Sequence, residues 1–89
     1  MTFVIPWLIE LAQTASGASE AEIARQLGVD PPRLWQWKTG MRPMPSAKIA
    51  ALAQMAQTDV VRALGAYQAE QIVQRREKRL LGGGHRKPR

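Results

Sequence analysis

Between Ser19 and Gly40 the chain reads SEAEIARQLGVDPPRLWQWKTG, a stretch that holds two helix starts and two helix stops. Ser19-Glu20-Ala21-Glu22 is a capping box: the serine hydroxyl can accept from the amide three residues on, and the glutamate can reach back. The helix it opens runs to Leu27 with an apolar stripe of Ile23, Ala24 and Leu27, and Gly28 ends it, as glycine commonly does past a helix C-terminus. Asp30 then offers a second N-cap. Pro31 falls at the first helical position, where the missing amide has no partner to lose, and Pro32 still lies in the turn whose amides are unpaired. The prolines therefore stiffen a helix start. That helix runs to about Lys38 and closes at Thr39-Gly40.

The rest of the chain is helical by the same signs, since no stretch alternates apolar and polar residues with β-branched enrichment. A first helix is expected over residues 4–15, with Pro6 tolerated only in its first turn and Ser16-Gly17 stopping it. After the proline-stiffened loop MRPMP, Ser46 is expected to cap a fourth helix reaching about Gln57, with Ile49, Leu52, Ala53 and Ala56 inward. Thr58 or Asp59 caps a fifth helix from Val60 towards Leu80. Gly65 marks a kink in it or a break into two shorter helices, because a helical glycine costs roughly 1 kcal/mol relative to alanine. The expected architecture is one all-α domain over residues 1–81, a bundle of four to five helices, followed by a disordered basic tail over 82–89 that begins in Gly82-Gly83-Gly84.

Charge narrows the partners. The net charge is +6, but residues 1–70 hold six basic and six acidic groups, so the excess lies in residues 71–89, where seven basic groups face Glu77 alone. Within the neutral body, five of the six basic groups fall between residues 25 and 48, around the paired short helices. Clustering of this kind is a stronger sign of a nucleic-acid partner than a high isoelectric point. Other classes recede. The chain has no cysteine and one histidine, His85, which argues against a disulfide frame, thiolate chemistry and a zinc site. No carboxylate pair, Ser/His/Asp set, Gly-rich phosphate loop or metal spacing is present, so neither an enzyme, a cofactor nor a small-molecule substrate is expected. The first apolar run, FVIPWLIELA, is ten residues long and lacks a basic flank, too short for a membrane span and wrongly flanked for a signal peptide. A cytoplasmic location is expected.

The faces of the third helix follow from its period of about 100° per residue. Leu34 and Trp37 fix the buried side, Pro32, Trp35 and Gln36 lie opposite, and Arg33 and Lys38 flank them. The two tryptophans, two positions apart, point about 160° away from each other. Trp37 is a core residue. Trp35 faces out, either to contact sugar or a thymine methyl, or to cover Met41 and Met44 in the following loop.

Two short helices joined through Leu27-Gly28-Val29, with inward Ile23-Ala24, Leu34 and Trp37, then Lys38, Gly40 and a Pro/Ser-led fourth helix, resemble the Cro/repressor-type helix-turn-helix domains of phages and bacteria. The resemblance is specific over residues 19–57 and extends in helix layout over 1–80. It implies a bundle in which helices 2 and 3 form the motif and helix 3 enters the DNA major groove. It implies base reading by Pro31, Pro32, Arg33, Trp35 and Gln36, and phosphate contacts from Ser19, Lys38, Thr39, Arg42 and Lys48. The chain departs from the family at its first reading positions, which are prolines where a polar residue is usual, and at Glu20, where a carboxylate near phosphate would repel. Direct readout then falls mainly on Gln36, suited to adenine, and Arg33, suited to guanine, with DNA shape supplying the rest.

Such regulators gain affinity by occupying two half-sites about 34 Å apart. A stripe of Ala69, Ile72, Val73 and Leu80 on the fifth helix is the expected seam of a homodimer, against the alternative that it packs on its own domain. The run RREKR at Arg75–Arg79, with Arg86, Lys87 and Arg89, reads as a solvated helix end and tail, or as an added phosphate or RNA grip. The expected function is a sequence-specific, double-stranded DNA-binding transcriptional regulator. Its rivals are an antitoxin-like protein-interaction module and a phage accessory factor in DNA packaging or recombination.

Overall fold

A computed structural model describes residues 3–83, with side chains described as far as Arg76. Five helices follow one another: α1 (Val4–Ser16), α2 (Glu20–Gln26), α3 (Pro31–Thr39), α4 (Ser46–Met55) and α5 (Val60–Gly83). No strand occurs among the described residues. No helix among them is long and apolar enough to cross a membrane.

Local sequence explains most of the boundaries. The capping box at α2 is formed in full, with the Glu22 amide donating to Ser19 Oγ at 3.2 Å and the Ser19 amide donating to Glu22 Oε1 at 2.9 Å. Asp59 caps α5, its Oδ1 accepting from the Arg62 amide at 3.0 Å. Gly17, Gly28 and Gly40 each follow a helix with positive φ, a conformation that costs other L-residues roughly 1–2 kcal/mol. At Gly28 the chain reverses tightly: the Val29 amide reaches back to the Ala24 carbonyl and the Gly28 amide to Arg25, both at 2.9 Å. This closes the two ends of α2's last turn and aims the chain into α3.

The core draws on every helix. Ile5, Leu8, Ile9 and Ala12 of α1 meet Ile23, Ala24 and Leu27 at the end of α2, Leu34 and Trp37 of α3, and Ile49, Leu52 and Ala53 of α4. Ala56 lies just past α4, and α5 contributes only Ala63 and Tyr67 to the buried residues among those described. No polar or charged residue is buried among those described. The inward positions expected for helices 2, 3 and 4 are all buried. Truncating one of the large ones, such as Leu34→Ala, should cost about 2–5 kcal/mol.

Five expectations about helix caps and boundaries need adjustment. Asp30 occupies the N-cap of α3, yet its side chain makes no capping bond. Pro31 and Pro32 have no amide hydrogen, and the next amide, Arg33, donates to the Asp30 main-chain oxygen at 2.9 Å, so nothing remains for the carboxylate to accept. Ser46 does not cap α4; the cap is Pro45, whose extended backbone sets up the helix, and Ser46 is its first residue. Helix α4 also stops earlier, at Met55, and the chain turns through Gln57 with φ +57°. Finally, α5 neither breaks nor divides at Gly65. A Cβ there would meet nothing within 4 Å, so the site is open and its glycine is simply a tolerated weak point. The helix continues to Gly83, past the expected boundary at residue 81, and residues 84–89 of the basic tail lie outside the described residues.

Candidate nucleic-acid interface

Helix α3 is held to the body by Leu34 and Trp37, 1% and 3% exposed, which fixes what it presents outward. Pro31, Pro32, Arg33, Trp35 and Thr39 are exposed, and Gln36 is half-buried. Trp35 is 51% exposed and Met41 64%, while Met44 is buried. No acidic side chain lies on α3, while Arg33 near its start and Arg42 just beyond its end are both exposed. Ser19 is exposed at the start of α2, with its hydroxyl committed to the cap.

The end of α3 is tied down in detail. The Gln36 carbonyl accepts from the Met41 amide at 2.9 Å and from the Arg42 amide at 3.2 Å, so the loop that carries Arg42 hangs from the last turn of the helix. Thr39 turns its hydroxyl back onto the same turn, donating to the Trp35 carbonyl at 2.9 Å. Farther along the loop, the buried Met44 amide donates to the Tyr67 hydroxyl of α5 at 2.9 Å. That bond fixes the loop to the long helix and seats Met44 in the core.

Two of the lysines assigned to phosphate have partners inside the protein. Lys38 Nζ forms a bidentate ion pair with Glu20, at 2.9 and 3.1 Å, linking the last turn of α3 to the first of α2. The pair is partly exposed, so its worth to stability is small, about 0–1 kcal/mol. Its electrostatic effect is larger: the carboxylate at the α2 start carries its own counter-charge. Lys48 Nζ donates to the Leu27 carbonyl, which places a cation at the C-terminal end of α2, where the helix dipole favours one. Neither contact has a local sequence signal, because the partners stand 18 and 21 residues apart on different elements.

Glu70 of α5 accepts from the Phe3 and Val4 amides and so supplies the negative charge that the first turn of α1 lacks. Ala69 is exposed, and Ile72 and Val73 are 60% and 53% exposed; Ala69 and Val73 line a shallow cleft with Phe3 and Val4 at the start of α1, and Ile72 lines another with Pro43 and Ser46. The side chain of Leu80, the fourth member of that stripe, lies outside the described residues, as does most of the basic run ending at Arg79. No family model matches the chain, and neither a curated protein nor a solved structure matches it.

Proposed function

We propose that the chain is a sequence-specific, double-stranded DNA-binding transcriptional regulator of the Cro/repressor type. In this reading α2 and α3 act as a helix-turn-helix unit and α3 enters the major groove. The observation that carries it is the face of α3: rigidly anchored from behind by Leu34 and Trp37, exposed in front, free of acidic side chains, and flanked by the exposed Arg33 and Arg42. Arg33 and Gln36 read base edges beside Pro31, Pro32 and Trp35. Ser19 and Arg42 approach the phosphates, with Lys38 and Lys48 contributing positive charge from their internal pairs; Thr39, whose hydroxyl proton is bound to its own helix, does not donate to them. The Glu20–Lys38 pair removes the repulsion that an unpaired carboxylate would bring to the backbone.

The exposed Ala69, Ile72 and Val73 of α5 supply a seam for a homodimer. Two copies would occupy half-sites about 34 Å apart, and bound near a promoter they would exclude polymerase or a competing regulator. Paired substitutions test the base-reading assignment by fluorescence anisotropy on a panel of duplexes. Gln36→Ala should relax preference at one position by about 1–3 kcal/mol, whereas Arg42→Ala should weaken every duplex alike and reduce the salt slope by about one. Equal losses on every sequence from both substitutions would overturn it.

A further inference from the structure

The outward stripe of α3 is poor in hydrogen-bonding groups, and this narrows what it can recognise. Pro32, Trp35, Gln36 and Thr39 follow one another along that side of the helix at spacings of three and four residues. Proline has no side-chain donor or acceptor, and the Trp35 indole offers a single donor. Thr39 spends its hydroxyl proton on the Trp35 and Gln36 carbonyls, at 2.9 and 3.4 Å, so it offers a ligand its methyl and an acceptor oxygen but no donor. Gln36 is the one member of the stripe with both a donor and an acceptor, and it is half-buried. In the major groove the apolar feature of a base edge is the 5-methyl group of thymine.

Building on the DNA-binding reading above, we propose that α3 selects its site chiefly by covering thymine methyl groups with Pro32, Trp35 and the Thr39 methyl. Gln36 and Arg33 supply the polar checks on base edges, and Arg42 holds the flanking backbone. The consequence is a regulator whose affinity depends on a substituent rather than on the base-pairing pattern. Uracil keeps every hydrogen-bonding group of thymine and lacks only that methyl. Burial of one methyl contributes about a fourfold change in affinity.

The test uses the tightest duplex recovered from a random-sequence pool, remade with uracil in place of every thymine. Affinities for the two duplexes are compared at matched salt, for the full chain and for the double variant Pro32→Ser, Trp35→Ser, whose altered positions are both exposed. The uracil duplex should bind the parent chain about fourfold more weakly or worse. The double variant should bind both duplexes equally, near the parent's affinity for uracil DNA, with an unchanged melting profile showing that it is folded. Equal affinity of the parent for both duplexes would overturn the methyl reading while leaving DNA binding in place. A thymine preference that survives in the folded double variant would overturn the residues named. Recovery of no duplex at all would remove the DNA-binding reading, and this inference with it.

Discussion

Tyr67→Phe isolates one bond on which the geometry behind α3 depends. The tyrosine ring is 7% exposed and packs in the core, while its hydroxyl accepts from the Met44 amide, a group that is itself buried at 4% exposure. Phenylalanine keeps the ring and deletes the acceptor, so the change leaves a buried N–H with nothing to donate to. Leaving such a group unsatisfied costs about 1–3 kcal/mol, more than the net worth of an average hydrogen bond. For a domain of this size, each kcal/mol corresponds to roughly 4–8 °C in melting temperature. Urea titration followed by circular dichroism should show a lower midpoint with an unchanged slope, since the same surface is exposed on unfolding. Tyr67→Ala, which also empties the ring's place, should cost about 3–5 kcal/mol. A loss below about 0.5 kcal/mol for the phenylalanine variant would refute the reasoning. It would mean that the Met44 amide finds water and that the loop bearing Arg42 is not held from α5.

Three further changes follow from positions already described. Gly65→Ala should raise stability by about 0.5–1 kcal/mol, because the site is helical and a Cβ there meets open space; thermal melts would register it. Gln57→Gly should also stabilise, by roughly 1 kcal/mol, since Gln57 holds φ +57° in the turn between α4 and α5; a lower urea midpoint would show that its side chain matters more than its backbone. Glu20→Gln should leave stability within about 1 kcal/mol, the pair with Lys38 being partly exposed. The same change should tighten DNA binding at low salt by removing a negative charge from the proposed backbone-facing helix start, and weaker binding would contradict that placement.

What the sequence made legible was local. The capping box Ser19/Glu22, the glycines after α1, α2 and α3, and the inward stripes through Ile23, Leu34, Trp37 and Ile49 all depend on neighbours within one or two turns, and the structure has them in place. The exposure of Trp35 beside the burial of Trp37 followed from helical period alone. Adjustments came where two local rules competed. Asp30 is an apt cap by residue type, but the prolines after it remove the amides it would have bonded. Ser46 has the right side chain, but Pro45 already has the extended backbone that a cap requires. The remainder was invisible because it joins distant elements. Tyr67 with Met44, Lys38 with Glu20, and Glu70 with the start of α1 lie 23, 18 and 67 residues apart, and no spacing rule couples them. For the same reason, the sequence treated Lys38 and Lys48 as outward charges, whereas each already serves a neighbouring helix.

The central claim is that the exposed face of α3 reads duplex DNA, and selection of bound sequences from a random duplex pool addresses it most directly. An enriched inverted repeat is expected, with half-sites centred about 34 Å apart, rich in thymine where α3 docks, and with the preference relaxed at one position of each half-site by Gln36→Ala. No enrichment over the starting pool, with binding that is weak and erased by moderate salt, would contradict it.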